Sequence, residues 1–150
     1  MKQKGFDQQP ENVILISSAS CRNELPLRYR FQRFIPIYEL IPSWLLRQGA
    51  LILQPIVEPD RKMHESTFIS MLKDKDKRFL KRTIRMIIRW EKEDCDGAIY
   101  NLHGDNDHTL PIKNISADEV IQDGSHMMML TRASDLSPLI ENFLKRNSSQ

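Results

Sequence analysis

The sequence predicts an α/β protein whose strands lie parallel in one short sheet. Three observations predict this: an unbroken apolar run at residues 12–16, a long helical stretch behind it, and two later strand signals that each stop at a glycine-bearing turn before a closing helix. Unbroken apolar runs suit strands covered on both faces, and the intervening helical stretch is the kind of crossover that parallel strands require.

The first strand is expected over residues 12–16 (NVILI), rich in β-branched residues and ending in Ser17, Ser18, Ala19 and Ser20. Loops at the carboxyl ends of such strands are where open α/β sheets bind ligands. Residues 25–90 follow with helical spacing. Pro26, Pro36, Pro42, Pro55 and Pro59 cut the first half into short pieces, with Phe31, Phe34, Ile35, Tyr38 and Ile41 at spacings of three and four. Residues 63–72 and 79–90 repeat that spacing more cleanly, the second with Phe79, Leu80, Thr83, Met86, Ile87 and Trp90 on one side. Trp44 and Trp90 are read as core residues of this helical region.

Strand signals return at residues 97–102 (GAIYNL), stopped by His103 and Gly104, and at residues 119–121 (EVI), stopped by Asp123, Gly124 and Ser125. Met127, Met128 and Met129 read as pliable packing. A last helix is expected through Leu136, Leu139, Ile140, Phe143 and Leu144, with Pro138 in its first turn and Lys145 and Arg146 matching its C-terminal dipole.

With 150 residues, 40% hydrophobic and 28% charged, the composition is that of one globular domain rather than a disordered tail. A net charge of +2, with basic residues spread among acids, gives little support to nucleic-acid binding. The local exception is residues 73–89 (KDKDKRFLKRTIRMIIR), which read as a solvated helix face or, alternatively, as a basic amphipathic docking helix. Cys21 and Cys95 are too few and too far apart to suggest a disulfide framework, so a reducing compartment is expected. No apolar run approaches the roughly twenty residues that cross a bilayer, and the leader before Val13 has none; membrane partners are not expected, and the location is expected to be cytoplasmic.

The reactive side chains concentrate at residues 103–111 (HGDNDHTLP), directly after one predicted strand, and at His126, directly after the next. Adjacent parallel strands set their C-terminal loops side by side, so an acid from one can meet a histidine from the other. An acid bonded to one imidazole nitrogen fixes the tautomer and steadies the imidazolium formed when the other takes a proton.

HGDNDHTLP fits H-G-x-x-D-x-x-x-P, and DGSHMM follows one strand later; together they resemble the α/β-hydrolase family after its seventh and eighth strands. NVILISSAS with the helical stretch behind it is similar to the family's sixth strand and lid, so the resemblance spans residues 13–144. It implies a partial α/β-hydrolase sheet of about three parallel strands, a helical lid insertion over residues 22–92 of a single 1–150 domain, and a carboxylic ester, amide or peptide as the small-molecule substrate. It implies Asp107 as the triad acid and His126 as the general base, in the family's chain order, with no cofactor or metal. The sequence departs from the family in one respect. No G-x-S-x-G occurs in the 150 residues, and the family's nucleophile elbow would lie upstream of Met1. The implied activity is therefore conditional on a missing N-terminal polypeptide, and the chain alone is expected to be inactive.

Other readings stand beside this one. Asp107 could simply cap a turn, and His126 could be an ordinary histidine. His103, Asp105, Asp107 and His108, with His126 as a further candidate, have a spacing reminiscent of metallo-β-lactamase-like ligands and would make a metal-dependent hydrolase. Ser17, Ser18, Ser20 and Cys21 lack the glycines that a strained nucleophile elbow needs and are expected to line a pocket instead. The first strand, apolar throughout, is expected to be a sheet edge that a partner or a second copy covers, which would make a non-catalytic interaction module or homo-oligomer.

Overall fold

The computed structural model describes residues 13–58, 64–73, 78–95 and 99–147. Its centre is a parallel sheet of β1 (Val13–Ile16), β2 (Ile99–Gly104) and β3 (Glu119–Ile121), in the order β1-β2-β3. Ile16 pairs with Leu102, and Gly104 with Ile121, so all three strands end on the same side. The start expected at Asn12, the beginning of the second strand at Gly97 and the leader lie outside the described residues.

Between β1 and β2 runs a helical connection: α1 (Leu27–Phe31), α2 (Ile37–Leu40), α3 (Ser43–Val57), α4 (Glu65–Lys73) and α5 (Phe79–Ile88). Pro26 and Pro36 stand at the N-caps of α1 and α2, and Pro42 directly precedes α3, since proline lacks only a donor that a first turn does not use. Pro55 does not divide the chain as expected, because α3 continues to Val57. Lying in the last turn, it forfeits one helical bond and disturbs no later turn.

The apolar side of α5 also differs from expectation. Ile88 is buried, whereas Phe79, Met86 and Ile87 are exposed. The reason is the docking of α1, α2 and α3 against α5. Lys81 on α5 donates to the carbonyls of Glu39 and Ile41, and Arg85 pairs with Glu39 at 3.2 Å, which fixes the helix rotation. Trp44 is likewise corrected from core to surface, at 64% exposed, while Trp90 packs against Leu25, Leu110 and Ile115.

After β3 come α6 (Met128–Thr131) and α7 (Ala133–Asn147). Pro138 sits one turn further into α7 than expected, because the helix starts at Ala133. Its ring removes a donor from the carbonyl of Ser134, which is exposed and open to water. Leu102, Ile121, Met128 and Leu136 form the buried core between sheet and α7, flanked by Ile14, Ile16, Leu139 and Ile140, and Tyr100 stacks on Phe143. The alternating residues Asn101 and His103 face the other way and bond to the segment after β2, at the carbonyls of Ser116 and Leu110.

Cys21 and Cys95 form a disulfide, contrary to the expectation of free thiols. Their separation of 74 residues is bridged because the two ends of the helical connection run together: the Arg22 amide donates to the Lys92 carbonyl at 2.8 Å, and the Asn23 side chain to the Glu93 carbonyl.

Candidate functional site

Two glycines bring the loops after β2 and β3 into contact. A Cβ on Gly104 would fall on the carbonyl oxygen of Gly124, and one on Gly124 would sit 3.0 Å from the Gly104 Cα. Across this approach the Asp105 amide donates to the Ile121 carbonyl at 3.2 Å and the Asn106 amide to Gly124 at 3.1 Å. Asp123 takes a left-handed conformation (φ 55°), tolerable for Asp, to turn the chain toward Ser125 and His126.

Asp107 is buried at the floor of this junction. Its Oδ1 accepts the amides of Thr109 and Leu110, both at 2.8 Å, and its Oδ2 accepts the Nδ1–H of His126 at 2.9 Å. Burial opposes its charge, but the hydrogen bonds from His103, His126 and the Leu110 amide outweigh that and hold the carboxyl well below the usual carboxylate range. With Nδ1 committed, the Nε2 of His126 has no hydrogen-bonding partner among the described residues, and its ring borders a cavity. The side chain is 30% exposed, enough for a reacting group to reach it.

Of the remaining reactive residues, His103 joins this pair and His108 and Asp105 do not. His103 is buried, donates from Nε2 to the Leu110 carbonyl at 2.8 Å and lies 3.3 Å from Asp107 Oδ2. Burial disfavours its charged form, yet the carboxylate and the carbonyl outweigh it and raise its pKa above the ordinary value. His108 is exposed, and its Nδ1 is 2.7 Å from the Ile56 carbonyl at the end of α3. Asp105 is exposed. Among the described residues no three His, Cys, Asp or Glu side chains converge as metal ligands, so the donor geometry gives the metal-dependent reading no support.

Ser17 adopts a left-handed conformation (φ 47°) without any neighbouring glycine and borders the same cavity as His126. Its hydroxyl donates to the Ser125 carbonyl at 3.4 Å, not to the His126 ring. Ser20 donates from both amide and hydroxyl to the buried Glu24, whose other oxygen takes the Ser116 amide; this pins the loop after β1 to the segment after β2.

Glu58 was missed at the level of sequence. It follows α3, is buried, and accepts the Met127 amide at 3.2 Å, one residue beyond His126. Burial pushes its carboxyl above the usual value, against the pull of the Met127 amide and the nearby His126. Nothing in the local pattern around a Val-Glu-Pro triplet marks such a contact; it depends on where α3 ends in space. Arg28 of α1 adds a second tie, donating to the carbonyls of His108 and Thr109 at 2.8 and 2.7 Å.

The cavity beside His126 encloses about 340 Å³ between the strand ends and α5. A larger, more open groove of about 630 Å³ runs along α1 but includes neither Asp107 nor His126. No family model matches the chain, and no curated protein and no solved structure matches it either.

Proposed function

We propose that Asp107 and His126 are the acid and general base of a Ser-Asp-His triad of the α/β-hydrolase type, with the serine and the oxyanion-hole donors contributed by polypeptide outside these 150 residues. The observation that carries this reading is the 2.9 Å bond from His126 Nδ1 to a buried carboxylate that two backbone amides hold from behind. A mere turn cap needs the amides alone. Here the second carboxylate oxygen is aimed at an imidazole from a neighbouring strand end, the arrangement that sets an Nδ1–H tautomer and leaves Nε2 as base.

The steps follow from that arrangement. His126 Nε2 takes the proton of the attacking hydroxyl and returns it to the leaving group of an ester, amide or peptide, while Asp107 steadies the imidazolium between the two transfers. The helices from α1 to α5 act as the lid, and β1, the strand at the sheet edge, is where the missing polypeptide or a second copy adds. No nucleic acid or membrane partner is part of this reading; among the described residues no helix is long and apolar enough to cross a membrane. The expected cytoplasmic location loses one support, since a Cys21–Cys95 disulfide persists most readily where thiols oxidise.

Among the described residues no strand pairs with the outer edge of β1, which also favours a second reading, a non-catalytic interaction module. One experiment separates the two. The DNA upstream of the first codon is sequenced, and any in-frame extension is expressed joined to this chain and treated with a fluorophosphonate. The proposal expects a G-x-S-x-G in that extension and labelling of its serine that His126→Ala removes. Absence of the motif, or labelling indifferent to His126, would overturn it.

A further inference from the structure

We infer that the cavity beside His126 is the seat of a compact, uncharged, apolar group, an aryl or short branched acyl moiety, and excludes charged or sugar-like ones. The inference rests on the triad reading for the position of the scissile bond, but not for the chemistry of the walls. Those walls are Leu25, Tyr29, Ile84, Ile88, Trp90 and Leu110, with small or polar residues such as Ser17, Ala19 and Thr109 at intervals. Among the described residues no Lys, Arg, Asp or Glu lines the cavity, and His126 and Tyr29 are its ionisable lining side chains. A charged group entering it would lose its hydration without gaining an opposite charge, which costs several kcal/mol.

Size narrows the class further. The cavity of about 340 Å³ lies at the small end of the about 300–1,000 Å³ typical of ligand pockets, which suits one ring or a short branched chain better than a long acyl chain. Its walls come from both sides of the molecule. Ile84 and Ile88 belong to α5, whose rotation the Lys81 and Arg85 contacts fix, whereas Leu110 adjoins the two amides that hold Asp107. The apolar group is therefore held between the helical connection and the acid loop, and His126 is left to face the bond to be broken.

The test uses the 150-residue chain and needs no turnover. Trp90 lines the cavity and Trp44 is exposed, so a Trp44→Phe background makes indole fluorescence report on the cavity. The probe is 4-phenyl-2-butanone, a neutral aryl ketone, set against N-acetyl-arginine amide and N-acetyl-glutamate amide. The neutral ketone is expected to bind saturably and at least about tenfold more tightly than either charged probe, a difference of about 1.4 kcal/mol. Ile84→Phe and, from the opposite wall, Ala19→Leu are each expected to abolish binding while a cooperative melt is retained. Leu40→Ser, at an exposed site that does not line the cavity, should leave ketone binding within about twofold, which is small on the scale of tenfold per 1.4 kcal/mol. Failure of the triad with intact ketone binding would remove the proposed function and spare this inference. Equal binding of the charged probes, or ketone affinity unchanged in both cavity-filling variants, would overturn it.

Discussion

The strand-end loops and the helical connection between β1 and β2 handle their side chains in opposite ways. At the loops, His103 is fully buried and Asp107 is 2% exposed, and every oxygen of that carboxylate has a donor. In the helical connection Leu40 is 85% exposed, Phe34 78% and Leu27 77%. The first region is specified by polar groups that have lost water and mostly found partners, His103 Nδ1 and Ser125 Oγ being exceptions; the second holds its helices through a few ties while much apolar surface stays in water. The difference teaches that the Asp107–His126 pair owes its geometry to backbone amides and two glycines, whereas the cover above it depends on how its ends are fastened.

If that contrast is right, the largest effect should come from unfastening the helical connection. The disulfide closes a loop with a sequence separation of 74 residues, and chain entropy assigns such a crosslink about 4 kcal/mol. Thermal melts with and without reductant, and of Cys95→Ser, should show a large loss; an unchanged melt after thiol alkylation confirms full reduction would break the comparison.

Next in size is a pair of substitutions, one in each region. Gly104→Ala pushes a methyl onto the Gly124 carbonyl and should cost about 3 kcal/mol, the upper range for overpacking. Leu40→Ser, at an exposed helical site, should change stability by no more than about 0.5 kcal/mol. Denaturant titrations giving equal losses would show that the two regions are not differently built.

Much of the strand-end region was legible beforehand. The third strand falls on Glu119–Ile121 as expected, because turn residues bracket a short β-branched run. Asp107 and His126 were legible together because each follows a strand, and parallel neighbours put such loops side by side. The glycine of H-G-x-x-D also had a physical meaning that the structure makes explicit, since no side chain fits between Gly104 and Gly124. What stayed hidden depends on tertiary placement. Trp44 carries the same apolar signal as Trp90, and only the docking of α1, α2 and α3 on α5 decides which is covered. Glu58 and the Cys21–Cys95 bond join residues 69 and 74 positions from their partners, distances over which spacing carries no information.

The smaller effects concern pH and again divide the regions. Asp107 has a depressed pKa, so its contribution is complete above the ordinary value of 3.8 and is lost as pH falls below it. His103 has a raised pKa, so its contribution is complete below 6.5 and is lost as pH rises through the higher folded value. Glu58, a carboxyl raised above 4.5, is held protonated longer when folded, so stability also declines as pH rises past that value. Melting temperature should therefore peak on the acid side of neutrality, between 3.8 and 6.5. Glu58→Gln keeps an acceptor for the Met127 amide and should raise the melting temperature slightly at pH 7 while leaving it unchanged near pH 4. A variant with the wild-type pH profile would show that the helical side adds nothing to the titration of the loops.

The most direct measurement is the tautomer of His126. With uniformly ¹⁵N-labelled histidine and His126→Gln for assignment among the four histidines, the account predicts that the neutral form of the ring carries its proton at Nδ1, shifted far downfield by the Asp107 carboxylate and lost in Asp107→Ala. A ring protonated at Nε2, or an Nδ1 signal indifferent to Asp107→Ala, would contradict it.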